Sequence, residues 1–190
     1  MNLIKKLLLV SVLLINTTYA QDVFNLQAQY LEYAKKGNFK PAWYDLENAI
    51  VSTVDIQQLK DASYSAKDGQ KGSITLTLKK SITDFAITFN IVYADSNPTI
   101  IIKSSNNQEV GIKLSNSTLY IQGKKLELGV GSRGSLQTIT IRKVGPEIGL
   151  VFNGDKKLYV DIEDFKDLKE IYIPLQNERL YGLKITENKE

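Results

Sequence analysis

The sequence predicts an all-β domain made of two packed antiparallel sheets, and three observations predict it. From Gly72 onward, apolar and polar residues alternate with a period of two over many short segments. Turn-forming pairs stand between those segments, among them Asn97-Pro98, Gly145-Pro146 and Asn153-Gly154. No strand–helix–strand spacing appears. Such alternation marks strands with one face on a core and one in water, which is the antiparallel arrangement. About ten strands in so short a stretch require two stacked sheets rather than one open sheet.

Taken in order, Met1–Ala20 has the form of a secretory leader. Lys5 and Lys6 close a positive start, Leu7–Ile15 is apolar, and Thr18 and Ala20 are small residues where a signal peptidase cuts. That apolar segment is far shorter than the ~20 residues a membrane-spanning helix needs. Cleavage is expected between Ala20 and Gln21, giving a periodic or irregular N-terminal part over 21–71 that includes a first strand. Within it, Val23, Leu26, Tyr30, Tyr33 and Ala34 approximate helical spacing over Gln21–Lys36, with Gly37-Asn38 as the stop. Gly37 to Asp45 is irregular, its Trp43-Tyr44 pair expected to plug the core or cover a sheet edge. Asp61–Lys71 is expected to be a loop.

The sandwich proper is expected over 72–186. Its inward residues are Ile74, Leu76 and Leu78; Phe85, Ile87, Phe89 and Ile91; Val110, Ile112 and Leu114; and Leu119 and Ile121. They continue with Ile139 and Ile141; Ile148, Leu150 and Phe152; Leu158, Val160 and Ile162; and Leu183 and Ile185. Ser104–Gln108 is a polar loop, Asn153-Gly154 a two-residue hairpin turn, and 187–190 a polar tail. Phe85, Phe89, Ile141, Leu150 and Phe152 are expected to be buried on facing sheets.

Composition excludes several chemistries. The chain has no histidine and no cysteine, and its single methionine is the first residue. Ser-His-Asp and Cys-His catalysis, zinc hydrolysis, thiol redox chemistry and disulfides are therefore absent. The formal charge of +3 includes the two leader lysines, so the chain after the leader is nearly neutral. Its lysine pairs, Lys79-Lys80, Lys124-Lys125 and Lys156-Lys157, fall between or at the ends of strands with acids interspersed elsewhere. That is the pattern of a solvated rim, not of a nucleic-acid-binding stripe.

The stretch Leu136–Asp155, Leu-Gln-Thr-Ile-Thr-Ile-Arg-Lys-Val-Gly-Pro-Glu-Ile-Gly-Leu-Val-Phe-Asn-Gly-Asp, resembles a strand pair of the concanavalin A-like lectin and glucanase sandwiches, including laminin G-like domains. Asp84–Phe89 resembles their Asp-Phe-x-Ile-x-Phe strand, and Phe165–Ile173 with Leu183–Ile185 their closing strands. The same order is similar to that of bacterial 3-keto-disaccharide hydrolase domains. Leu136 stands where those families often carry tryptophan. The resemblance spans about Lys71 to Thr186 and implies a jelly-roll sandwich that acts on or binds carbohydrate.

Three site readings follow. Carbohydrate binding draws on outward residues of successive strands: Thr88, Asn90, Lys113, Tyr120, Gln122, Thr138, Thr140 and Arg142. If their strands share one sheet they make a polar floor with one aromatic, and Asn90, Lys113, Tyr120, Gln122, Thr140 and Arg142 are its ligand-binding candidates. Glycoside hydrolysis needs two carboxylates. The Glu-x-Asp-x-x-Glu strand of the family-16 glucanases is missing, which leaves Asp161 with Glu163, or Tyr120 with Arg142. No cofactor is expected, although Asp95 and Asn97 stand at a strand end where laminin G-like domains place a calcium ligand. Asn116-Ser117-Thr118 matches a glycosylation acceptor and reads as a loop. The expectation is a monomeric periplasmic or secreted protein that binds a carbohydrate or cell-envelope surface without catalysis. A sugar-active hydrolase or lyase, and an adhesion module for protein partners, are the alternatives.

Overall fold

The computed structural model describes residues 19–26, 43–59, 61, 63–68, 70–93, 97–115, 117–129 and 134–189. Sixteen strands run through them. They are β1 (Tyr19–Asn25), β2 (Trp43–Asp45), β3 (Ala49–Val54), β4 (Ile56–Gln58), β5 (Tyr64–Ala66), β6 (Gly72–Ile82), β7 (Phe85–Val92) and β8 (Thr99–Lys103). The series continues with β9 (Glu109–Ser115), β10 (Thr118–Ile121), β11 (Lys124–Glu127), β12 (Gln137–Val144), β13 (Glu147–Phe152), β14 (Lys156–Asp161), β15 (Leu168–Leu175) and β16 (Arg179–Lys189).

Two eight-stranded sheets form. The first has the order β14-β13-β12-β7-β16-β5-β4, with β1 also paired to β16; the second has the order β11-β10-β9-β8-β15-β6-β3-β2. Every described pairing is antiparallel. The chain crosses between the sheets repeatedly, at β6–β7–β8, β11–β12 and β14–β15–β16, as a jelly roll does.

Alternation decides which residues enter the space between the sheets. In β7 the burial pattern is strictly two-periodic, with Phe85, Ile87, Phe89 and Ile91 at or below 1 % exposure. Phe85, Phe89, Ile141, Leu150 and Phe152 are all buried, but they share the first sheet instead of facing one another. A period of two sorts residues into inward and outward and carries no label for the sheet. Their partners across the core come from β6, β8, β9 and β15: Leu76, Ile102, Ile112 and Ile173 among them. Phe165, on the turn before β15, meets Phe85 edge-on, with centroids 6.4 Å apart and planes at 66°.

Turn chemistry closes the hairpins. Asn153 and Gly154 take φ of 49° and 81°, the left-handed pair that lets a hairpin turn follow the strand twist. The loop runs one residue longer than the predicted two, because pairing resumes at Phe152 with Lys156. Asn153 also ties the hairpin to β12, accepting from the Thr138 amide at 2.8 Å and donating to Gln137 Oε1 at 2.8 Å. Ser104–Gln108 is the tight loop its composition implies.

The N-terminal readings change. Gln21–Asn25 is strand, not helix, and Leu26 follows it, while the rest of the expected helix lies outside the described residues. The reason is Phe24, which the helical stripe leaves out: it is 2 % exposed, in register with Ile185 of β16. A salt bridge from Lys184 to Asp22, at 2.9 Å, fastens the same pair of strands. Asp61–Lys71 contains β5, whose Tyr64 is buried, so it is not wholly loop. Trp43 and Tyr44 lie on β2, the outermost strand of the second sheet. The expected leader covers residues of which only Tyr19 and Ala20 are described, and Asn116 of the glycosylation triplet lies outside the described residues.

Candidate functional site

The single polar floor does not form. Thr88, Asn90, Thr138, Thr140 and Arg142 lie outward on β7 and β12 of the first sheet, while Lys113 and Tyr120 lie outward on β9 and β10 of the second. The two groups therefore occupy opposite sides of the sandwich. Gln122 is on neither strand. With φ of 47° it occupies the two-residue turn with Gly123 that joins β10 to β11.

On the first sheet the polar residues satisfy one another. The Thr88 and Thr140 hydroxyls are 3.0 Å apart, and the Thr138 hydroxyl donates to Asn90 Oδ1 at 2.8 Å. Asn90 and Thr140 are thus members of a cross-strand ladder. Arg142 lies directly opposite Gly149 of β13, which in turn is opposite Tyr159 of β14. The Tyr159 ring lies over Gly149 so closely that a Cβ there would come within 2.6 Å of it. Arg142, Glu147 and Tyr159 line a shallow groove of about 290 Å³.

The second sheet carries a larger depression, of about 600 Å³, at the end where β6 and β8 begin and β15 stops. Pairing between β15 and β8 covers Glu170 to Tyr172 and goes no further. Pro174, two residues on, has no N–H to offer a ladder. The two strands separate beyond that point, and the gap between them is floored by Ile101, Tyr172 and Pro174 and rimmed by Asn97 and Thr99. Tyr172 is half-buried and centred in a row of direct cross-strand neighbours running Ser52, Thr75, Tyr172, Ile101, Gly111. Lys71 and Gln176 add polar groups at the rim.

Glu178 shapes one wall. It is 1 % exposed, and its Oε2 accepts the backbone N–H of Gln176 at 2.5 Å and of Asn177 at 3.1 Å. Its Oε1 is buried and has no hydrogen-bond partner among the described residues.

Next to the depression, Thr99 pairs with Lys113, Lys113 with Tyr120, and Tyr120 with Lys125. Lys125 reaches Glu127 at 3.0 Å, and the Thr118 hydroxyl donates to the same carboxylate at 3.1 Å. The hydrogen bond and charge of Glu127 hold the Lys125 ammonium above its ordinary range, and Lys125 in turn holds Glu127 below its own. Further along β15, Glu170 accepts from the Thr77 hydroxyl at 3.1 Å. Tyr120 and Tyr172 present two aromatic groups on one face, roughly 15 Å apart from strand spacing and residue rise.

The other candidates disperse. β14 ends at Asp161, so Glu163 leaves the strand into a turn and the two do not share a strand face; both are exposed, and neither lines the depression. Tyr120 and Arg142 stand on opposite sheets and cannot meet. Asp95 lies outside the described residues; Asn97 is exposed at the rim of the depression. Among the described residues no group of three or more acids is placed to hold a metal ion, and no helix is long and apolar enough to cross a membrane. Sequence reasoning missed Tyr172, Ile101 and Glu178. Tyr172 was visible as the polar-tipped residue alternating in Ile171-Tyr172-Ile173, while nothing local marks Glu178 as buried.

No family model matches the sequence, and no curated protein matches it. The fold does have relatives among solved structures. The carbohydrate recognition domain of Emp47p aligns with a TM-score of 0.56 at 11 % identity, covering 80 % of this chain and 92 % of that one. The Crh5 transglycosylase aligns at 0.56 and 10 %, covering 77 % and 81 %. The laminarinase catalytic domain of Thermotoga maritima MSB8 aligns at 0.52 and 10 %, covering 93 % and 94 %. A sialidase aligns at 0.55 and 11 %, but the chain spans only 16 % of its length. The fold of this chain is thus the concanavalin A-like jelly roll implied by Leu136–Asp155.

Proposed function

We propose that this is an exported, monomeric protein that binds a glycan, free or on a cell envelope, through the outer face of its second sheet and without catalysis. The observation that carries the reading is the depression floored by Ile101, Tyr172 and Pro174 with polar groups around its edge. An aromatic and aliphatic floor takes the C–H face of a sugar ring, while the amide, hydroxyl and ammonium groups of Asn97, Gln176, Thr99 and Lys71 at the edge take its hydroxyls. Structural neighbours with a carbohydrate recognition domain and with glucan-acting enzymes support the same direction at the level of fold. The missing Glu-x-Asp-x-x-Glu strand and the separation of Tyr120 from Arg142 support binding over hydrolysis.

A glycan array followed by calorimetry tests this. Wild type is expected to bind at least one glycan, and Tyr172→Ala to weaken that binding about tenfold, a change of about 1.4 kcal/mol. Tyr159→Ala, on the opposite face, serves as the control and leaves binding unchanged. Absence of binding to any glycan would overturn the reading, and turnover of an oligosaccharide would replace it with a hydrolytic one. A protein partner captured through the same face, unaffected by deglycosylation, would replace it with adhesion.

A further inference from the structure

We propose that the glycan bound by this face is anionic, and that Lys113, Tyr120 and Lys125 form the subsite that reads its charge. The inference rests on the glycan-binding reading above and adds the ligand's chemical class. Lys113 and Lys125 are the direct cross-strand partners of Tyr120, one on each side. All three are exposed on the outer face. With adjacent strands about 4.8 Å apart, two ammonium groups flank one aromatic ring across a span of roughly 10 Å. The ring offers a face to a pyranose, and the ammoniums meet carboxylate or sulfate groups carried at its edges.

Local charge balance favours an anion. Glu127 is the acid that faces this row, and Lys125 already engages it. Lys156 also approaches, donating from Nζ to the Glu127 backbone oxygen at 2.8 Å. On the far side Glu109 is held by Lys103 at 3.3 Å. Lys113 has no carboxylate partner among the described residues. Lys125 and Lys156 thus converge on one acid at the corner where β11 and β14 bring the two sheet edges together, and Lys113 stands on the other side of Tyr120. The nearly neutral chain concentrates positive charge beside an exposed tyrosine, and the row continues through Thr99 into the depression. A neutral glycan gains only the ring contact from this arrangement. An acidic polymer lying along the row meets both cations.

The test uses the full chain and two polymer pairs: a polyuronate with its carboxyl-reduced form, and a sulfated polysaccharide with its desulfated form. Calorimetry at low and moderate salt is expected to show an anionic member bound about tenfold or more tighter than its neutral counterpart, with the difference shrinking as salt rises. The Lys113→Gln/Lys125→Gln double variant is expected to lose that preference while retaining its melting temperature and its weaker affinity for the neutral form. Tyr120→Ala is expected to weaken the anionic polymer several-fold. Equal affinity for charged and neutral members, or a preference untouched by the lysine variant, would overturn the inference and leave the glycan reading standing. Anionic binding indifferent to Tyr120→Ala would mark a nonspecific polycation and also overturn it. Failure of every member to bind would overturn both.

Discussion

The two outer faces of the sandwich are built by the same rule and differ in what their outward residues do. On the first sheet, Thr88 with Thr140 and Thr138 with Asn90 form hydrogen-bonded pairs across strands. On the second, the outward residues near β8 and β15 are Ile101, Tyr172 and Pro174, which line open space. A face whose polar groups are mutually satisfied gains little from a ligand, because each new hydrogen bond replaces an existing one. A face that leaves an aromatic and aliphatic floor exposed at a break in the ladder gains by covering it. Polarity alone does not tell the faces apart, since Lys113 and Tyr120 lie outward on one and Asn90 and Arg142 on the other.

The largest expected effect removes both faces together. Phe89→Ala deletes a ring that is 1 % exposed between the sheets and should cost about 3–5 kcal/mol in denaturant unfolding. A loss below about 1 kcal/mol would contradict the placement of β7 against the core. Next comes the site itself. Tyr172→Phe should bind as wild type within about twofold, if the ring face rather than the hydroxyl is what the glycan covers. A loss as large as that of Tyr172→Ala would shift the weight to the hydroxyl.

A smaller effect concerns the loop frame at the opposite end of β15 from the depression. Burial pushes the Asp167 carboxyl up, but donors from the Ser104 hydroxyl, the Ser105 amide and hydroxyl, and Ser81 outweigh it and hold the group well below the usual carboxylate range. The folded chain therefore releases this proton more readily than the unfolded chain. Its contribution is complete above the unfolded value near 3.8 and is lost as pH falls below it. Asp167 is half-buried at the surface, so screening limits the effect to about 1 kcal/mol. Asp167→Asn should lower the melting temperature by a few degrees at pH 7 and flatten its fall below about pH 4. The smallest effect should come from the first sheet's ladder: Thr140→Ala costs under about 1 kcal/mol and leaves glycan binding untouched.

Much of this architecture was legible in the sequence, for a physical reason. Where one face is buried and the other solvated, alternation writes itself into the residues, and β6, β7, β9 and β12 follow it. The site was less legible because it breaks that rule. β8 reads Thr-Ile-Ile-Ile-Lys, with Ile101 pointing outward between two buried isoleucines, so it shows no alternation and its strand went unmarked. The outward apolar residue that hid the strand is part of the floor. Sheet membership was hidden as well, since Arg142 and Tyr120 look alike to a period of two and stand on opposite sides. Phe24 shows the same limit at the N-terminus, where one buried ring outweighed a helical stripe.

Amide chemical-shift mapping of the full chain against a bound oligosaccharide separates the two faces in one experiment. The largest shifts are expected at Thr99, Ile101, Lys113, Tyr120 and Tyr172, with β12 to β14 silent. Shifts clustered at Arg142, Gly149 and Tyr159 instead would contradict it.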